Sequence, residues 1–262
     1  MSNSSLAAFA ASLLAFMGPD SQEARADTCA PSGPAIATDR PDVTNSSFVV
    51  PTGSLQSENG VNLSGRGGAQ SVDGTNSRLR VGVAPCLEIL VDLPTYFGAI
   101  RGDDASGFGN VAPAVKWQLA PLPGDVNLSV TTGIGLPTGA ARIAGPGAQP
   151  YLQFPWSREL GGGWGISGMV TTFFLPADPV SKVTEETTFV IERSLSQRAD
   201  VFVEYVGDFP ARRGASQLFN SGAVYRVTPT QQIDVHVGFG LNHNAPDYVV
   251  GVGYSIRLDG LF

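Results

Sequence analysis

From Leu55 onward, about twelve stretches of this sequence alternate apolar residues with polar or small ones. That period of two places successive side chains on opposite faces of a β-strand. In one stretch Val126, Leu128, Val130, Ile134 and Leu136 oppose Asn127, Ser129, Thr131, Gly133 and Gly135. In another Ile233, Val235, Val237, Phe239 and Leu241 oppose Gln232, Asp234, His236, Gly238 and Gly240. A third runs from Tyr248 through Val250, Val252, Tyr254, Ile256 and Leu258 to Phe262. Strands of roughly ten residues are long for soluble sheets and suit a tilted strand crossing a bilayer.

The remaining strands are expected near 55–63, 77–84, 87–96, 110–119, 150–159, 164–174, 186–194, 199–207 and 217–227. Tight connections at Pro85-Cys86, Pro121–Asp125, Leu160–Gly163, Ser196-Gln197 and Thr228–Thr230 interleave with longer ones at Gly67–Thr75, Arg101–Phe108, Thr138–Gly147 and Ala177–Thr184, and with a shorter one at His243–Pro246. An even-stranded outer-membrane barrel has this pattern, with both chain ends on the tight-turn side. The fold class expected is therefore all-β: a transmembrane antiparallel up-and-down barrel of about 12 strands.

Thirty-two glycines spread through the periodic stretches agree with β structure. A net charge of −7 argues against nucleic acid as a partner. The apolar run Leu6–Met17 and the small-x-small Ala24-Arg25-Ala26 mark residues 1–26 as a signal peptide. Residues 27–53 then form a periplasmic N-terminal arm and 54–262 the barrel. Beyond the leader no apolar run reaches 18 residues, so a helical span is not expected. Cys29 and Cys86 are an even pair in an exported chain and a candidate disulfide.

A soluble barrel with an apolar interior shows the same alternation, with the faces reversed. The polar face carries Glu58, Arg78, Arg80, Glu88, Asp92, Lys116, Glu192, Glu204, Asp234, His236 and Arg257, which suits a narrow wet lumen. Aromatic residues near strand tips, among them Phe97, Trp117, Trp156, Trp164 and Tyr248, suit interfacial girdles. These lumen candidates either line a solute path or fill the interior as a salt-bridge network. Closing the barrel requires the last strand to pair with the first. Tyr254, Ile256, Leu258 and the terminal Phe262 also resemble the signal read by the barrel-assembly machinery.

Thr38-Asp39-Arg40-Pro41-Asp42, followed by Val50-Pro51-Thr52-Gly53-Ser54-Leu55-Gln56-Ser57-Glu58-Asn59-Gly60, resembles the opening of outer-membrane transporters labelled "MetA-pathway of phenol degradation". Members begin with a TDRPD-type motif and a V-P-x-G-x-x-Q-x-E-x-G run into the first strand. The resemblance implies an outer-membrane barrel passing small solutes, hydrophobic or aromatic ones included. Two readings of the TDRPD segment stand: an arm tucked into the barrel mouth, with Arg40 paired to Glu58 or Glu204, or a local Asp39–Arg40–Asp42 turn.

The functional alternatives are a closed barrel with a structural or adhesive role, and an outer-membrane lipase-type enzyme. Neither His236 nor His243 lies in a nucleophile motif, and the Gly-x-Gly pairs lie inside strands with no helix start to cradle phosphate. No catalytic residue, cofactor or metal is therefore assigned, and the Asp103-Asp104 pair is taken as solvated loop carboxylates. The expected partners are outer-membrane lipid, the barrel-assembly machinery and a small solute.

Overall fold

The computed structural model describes residues 29, 35–102, 105–119, 121–175, 178 and 180–262. The expected signal peptide and Asp103-Asp104 lie outside them. The chain forms one closed antiparallel barrel of 12 strands in meander order. Strand β1 is Leu55–Arg66. The next three are each interrupted: β2 is Ala69–Gly74 with Arg78–Ala84, β3 is Leu87–Asp92 with Tyr96–Arg101, and β4 is Ala112–Gln118 preceded by the short Gly107–Phe108. Then come β5 (Asn127–Gly135), β6 (Gln149–Gly161), β7 (Trp164–Phe174), β8 (Val183–Ser194), β9 (Ala199–Pro210), β10 (Ser216–Thr228), β11 (Gln231–Gly240) and β12 (Tyr248–Leu258). β12 pairs with β1 from Leu55↔Leu258 to Gly65↔Tyr248, so neither terminal strand is left as an open edge.

Three boundaries differ from the sequence reading. The loop expected over Gly67–Thr75 is a two-residue turn at Gly67-Gly68, both at positive φ (56° and 87°), after which the chain re-enters the sheet. Glycine is at ease in that left-handed region, and a turn of this hand follows the twist of the flanking strands. The loop expected over Arg101–Phe108 shrinks likewise, because Tyr96–Arg101 and Gly107–Phe108 pair with neighbouring strands. The last strand stops at Leu258, so Phe262 lies beyond it and is 77% exposed; Leu261 N–H donates to Gly53 C=O (2.8 Å).

The wall is inverted relative to a soluble protein. Val235, Phe239 and Val252 are each more than half exposed on the outside, whereas Arg80, Lys116, Glu58 and Glu88 on the inside are fully buried. Apolar surface turned outward around the whole barrel is stable only against lipid. Part of the remaining interior is occupied by the chain itself. The segment Ala35–Ser54 rises from the tight-turn rim into the lumen, circles the wall and leaves at the same rim. It enters where Ile36 N–H donates to Pro229 C=O (2.7 Å) and exits where Gly53 N–H donates to Gly82 C=O (2.9 Å).

Candidate functional site: the lumen and its arm

The arm is held by the inward face of nearly every strand it passes, and the two sequence motifs are the two halves of its first attachment. On β1 the inward positions Gln56, Glu58 and Gly60 follow one another at the two-residue period. Gln56 Nε2 donates to Ala37 C=O (2.8 Å), and Asp39 N–H donates to Glu58 Oε2 (2.9 Å). Opposite Gly60 an added Cβ would stand 2.1 Å from the Arg40 guanidinium. The V-P-x-G-x-x-Q-x-E-x-G run therefore provides the surface on which the TDRPD segment docks.

Asp39 is the centre of a buried ion cluster. Its carboxylate meets Arg78 (2.9 Å), Arg80 (3.3 Å) and Lys116 (3.1 Å); Arg80 in turn meets Glu58 and Glu88 (both 3.0 Å), and Lys116 meets Glu88 (3.4 Å). Burial acts to raise the Asp39 pKa, but Arg80, Lys116 and Arg78 together outweigh it and hold the carboxyl below the usual range. Arg78 also grips Asp92 (2.6 Å).

The arm then crosses to the far wall. Glu204 on β9 accepts from the N–H groups of Val43 (3.0 Å) and Thr44 (2.9 Å), from Thr44 Oγ1 (2.8 Å) and from Asn220 Nδ2 (2.9 Å). Asp42 is carried into the same region, where burial and the nearby Glu204, then Glu192 and Asp39, push its carboxyl well above the usual range. Returning, the arm passes Gln153 and Ser157 on β6, through Asn45 (3.1 Å) and Ser47 (2.7 Å). It then passes Gln118 on β4 and Glu88 on β3, which accept from the N–H groups of Val49 (3.1 Å) and Val50 (2.7 Å).

Two of the contacts expected from sequence are replaced. Arg40 does not pair with Glu58 or Glu204, which are taken by Arg80 and by the arm backbone; its partner is Asp234 on β11, at 3.4 Å. Nor do Asp39, Arg40 and Asp42 form a local cluster: Asp39 binds the β2 and β4 cations and Arg40 binds β11. His236 lies between Asn220 Oδ1 (3.2 Å) and Asn62 Oδ1 (3.0 Å), and Arg257 binds Asp259 (2.7 Å) near the rim. Glu192 lines the lumen beside the arm. Cys29 and Cys86 are joined by a disulfide, which fixes the start of the arm to the tight turn between β2 and β3.

Sequence reasoning did not single out three neutral polar residues that receive the arm, namely Gln118, Gln153 and Gln232. Their signal is alternation: each is a long amide side chain on the lumen face of its strand.

Two cavities remain beside the arm. One, about 260 Å³, lies towards the tight-turn rim between the arm and β6–β11; Ile36, Phe48 and Phe202 give it an apolar side and Arg40, Asp42 and Arg226 a charged one. The other, about 250 Å³, lies against β1–β3 and is lined by Arg40, Asn45, Arg78, Asp92, Asn76 and Thr95 among others.

Known proteins bear on this arrangement through the fold. The COG4313 outer membrane channel from Pseudomonas putida F1 is similar, with a TM-score of 0.62 at 13% identity, covering 80% of this chain and 97% of that one. The NanC porin gives 0.56 at 8% identity (78% and 100% covered) and the KdgM porin 0.51 at 9% (78% and 98%). At these identities the likeness is one of fold, that of bacterial outer-membrane barrels. No curated protein matches the sequence. One family model matches residues 38–258, starting on the first residue of the arm motif.

Proposed function

Because the chain belongs to the family described as "Putative MetA-pathway of phenol degradation", we propose that it is an outer-membrane channel for small solutes, aromatic ones included. The observation that carries this reading is the pair of cavities flanking the arm. They leave space on two sides of the arm within the barrel. The chemistry of the lining supports the solute class. Phe48, Phe202 and Ile36 give the rim-side cavity an apolar surface beside charged groups, which suits a ring bearing a polar substituent. Farther along the wall Leu90, Ala114, Tyr151 and Phe173 form an inward apolar row from β3 to β7.

The test is single-channel recording in planar bilayers, with and without residues 27–53. Discrete steps in the full-length protein, or steps on removing the arm, support a channel. Silence in both, with the barrel verified as folded, overturns it. The second reading, a closed structural barrel, draws on the buried Asp39 cluster, which fills the lumen beside β1–β4. We further propose that Phe262 serves assembly. Its deletion is expected to lower the amount of heat-modifiable barrel in the outer membrane, and an unchanged amount would remove that role.

A further inference from the structure

We propose that the Arg40 side chain is the gate between the two cavities, an inference that rests on the channel reading above. Arg40 and Asn45 line both cavities; of the residues adjoining Arg40, Asp39 faces only the one against β1–β3, and Thr38, Pro41 and Asp42 face only the rim-side one. Asn45 is tied to Gln153 (3.1 Å) and Arg78 (3.0 Å), which leaves Arg40 as the loosely held side chain at the boundary. A side chain at that boundary decides whether the cavities join.

The wall is shaped to receive it. Asp234 on β11, Gly253 on β12 and Gly60 on β1 stand side by side across the closing seam. With no side chain at the two glycines, a notch remains in which the guanidinium lies against bare backbone. A Cβ would come within 2.1 Å of it at Gly60 and 2.6 Å of Arg40 Nε at Gly253. The notch ends at Asp234, so the charge in it is answered at one end.

That hold is weak beside the one on the preceding residue. Asp39 meets three cations at 2.9–3.3 Å, while Arg40 has the 3.4 Å contact to Asp234 and a 3.5 Å contact from Nη2 to Val252 C=O. Among the described residues neither Arg40 Nε nor Asp234 Oδ2 has a hydrogen-bond partner. The backbone, by contrast, is pinned: Thr38 Oγ1 donates to Arg40 C=O (2.7 Å) and Asp39 N–H to Glu58 (2.9 Å). The guanidinium can thus leave its notch by side-chain rotation while the arm stays docked. A solute passing between the cavities displaces one side chain, and meets the Asp234 carboxylate that the displacement uncovers.

The test uses the full-length chain and four variants, Gly60→Ala, Gly253→Ala, Arg40→Ala and Arg40→Lys, each verified as folded by heat-modifiable mobility. They are compared by single-channel recording under a salt gradient. Gly60→Ala evicts the guanidinium but keeps its charge, so conductance is expected to rise several-fold with little change in ion preference; Gly253→Ala crowds both Arg40 Nε and Asp234 Oδ1 (2.6 Å each) and is expected to raise conductance likewise. Arg40→Ala is expected to raise conductance similarly and to shift the reversal potential towards cations, because Asp234 loses its counter-charge. Arg40→Lys is expected to keep the parent ion preference. Unchanged ion preference in Arg40→Ala overturns the gate, because the uncovered Asp234 then does not face the path of the ions. Unchanged conductance in Gly60→Ala and Arg40→Ala, with the parent conducting, overturns it while leaving the channel reading intact. Silence in the parent and all four variants overturns the gate, and the channel reading is then decided separately by the protein lacking residues 27–53.

Discussion

The arm meets two walls of opposite character within a few residues. At Asp39 it meets β2 and β4, whose Arg78, Arg80 and Lys116 compensate its carboxylate. At Asp42 it meets β8 and β9, where Glu192 and Glu204 add negative charge to negative charge. One end of the motif is therefore fastened by ion pairs. The other is fastened by neutral donors, the backbone N–H groups and hydroxyl that feed Glu204. A buried carboxylate is stable with either kind of partner, but the two respond differently to mutation and to pH.

The largest effect is expected at the compensated wall. Arg80→Met leaves Asp39, Glu58 and Glu88 short of their shared cation, a loss of about 3–5 kcal/mol, read as an earlier unfolding midpoint in denaturant titration. Replacing Cys29 and Cys86 by Ser frees the arm on the side that leads into Asp39. The expected loss is about 2–4 kcal/mol, and protease access to residues 35–50 should rise with it. At the acidic wall Glu204→Ala strands the N–H groups of Val43 and Thr44, costing about 1–3 kcal/mol by the same titration.

The smallest effect has the opposite sign and separates the walls best. Asp39, with its pKa lowered, stabilises the fold above the unfolded carboxyl value of about 4, and that contribution fades as pH falls through its lower folded value. Asp42, with its pKa raised, is held protonated by the fold, so its ionisation erodes stability as pH rises from about 4 towards its folded value. Asp42→Asn is expected to flatten the decline on the alkaline side, and Asp39→Asn the decline on the acid side. Identical pH profiles for the two variants would mean that the walls do not differ.

The barrel was legible in the sequence because lipid outside and water inside impose a strict two-residue period over each strand. The misplaced loop at Gly67–Thr75 also had a readable signal, Gly-Gly between alternating residues, which marks a tight hairpin. The interruptions in β2–β4 follow Asn76, Pro94 and Gly109-Asn110, residues that fit a sheet ladder poorly. The path of the arm was less legible, since its contacts join positions as far apart as Arg40 and Asp234. Charge complementarity offered lumen charges as partners for the motif, beside a local turn. It could not choose among carboxylates, because the choice was made by two missing side chains, at Gly60 and Gly253.

The disulfide gives this geometry a mechanical meaning. With Cys29 bonded to the β2–β3 turn and Ser54 running into β1, the arm is moored at both ends on one rim. A load arriving from the opposite mouth stretches it like a strap between two posts, where a free tail would peel away from its loose end. It can sag, shift its side chains and spring back, but it cannot be swept out of the barrel in one piece. Any passage through this lumen leaves the obstacle in place for the next solute.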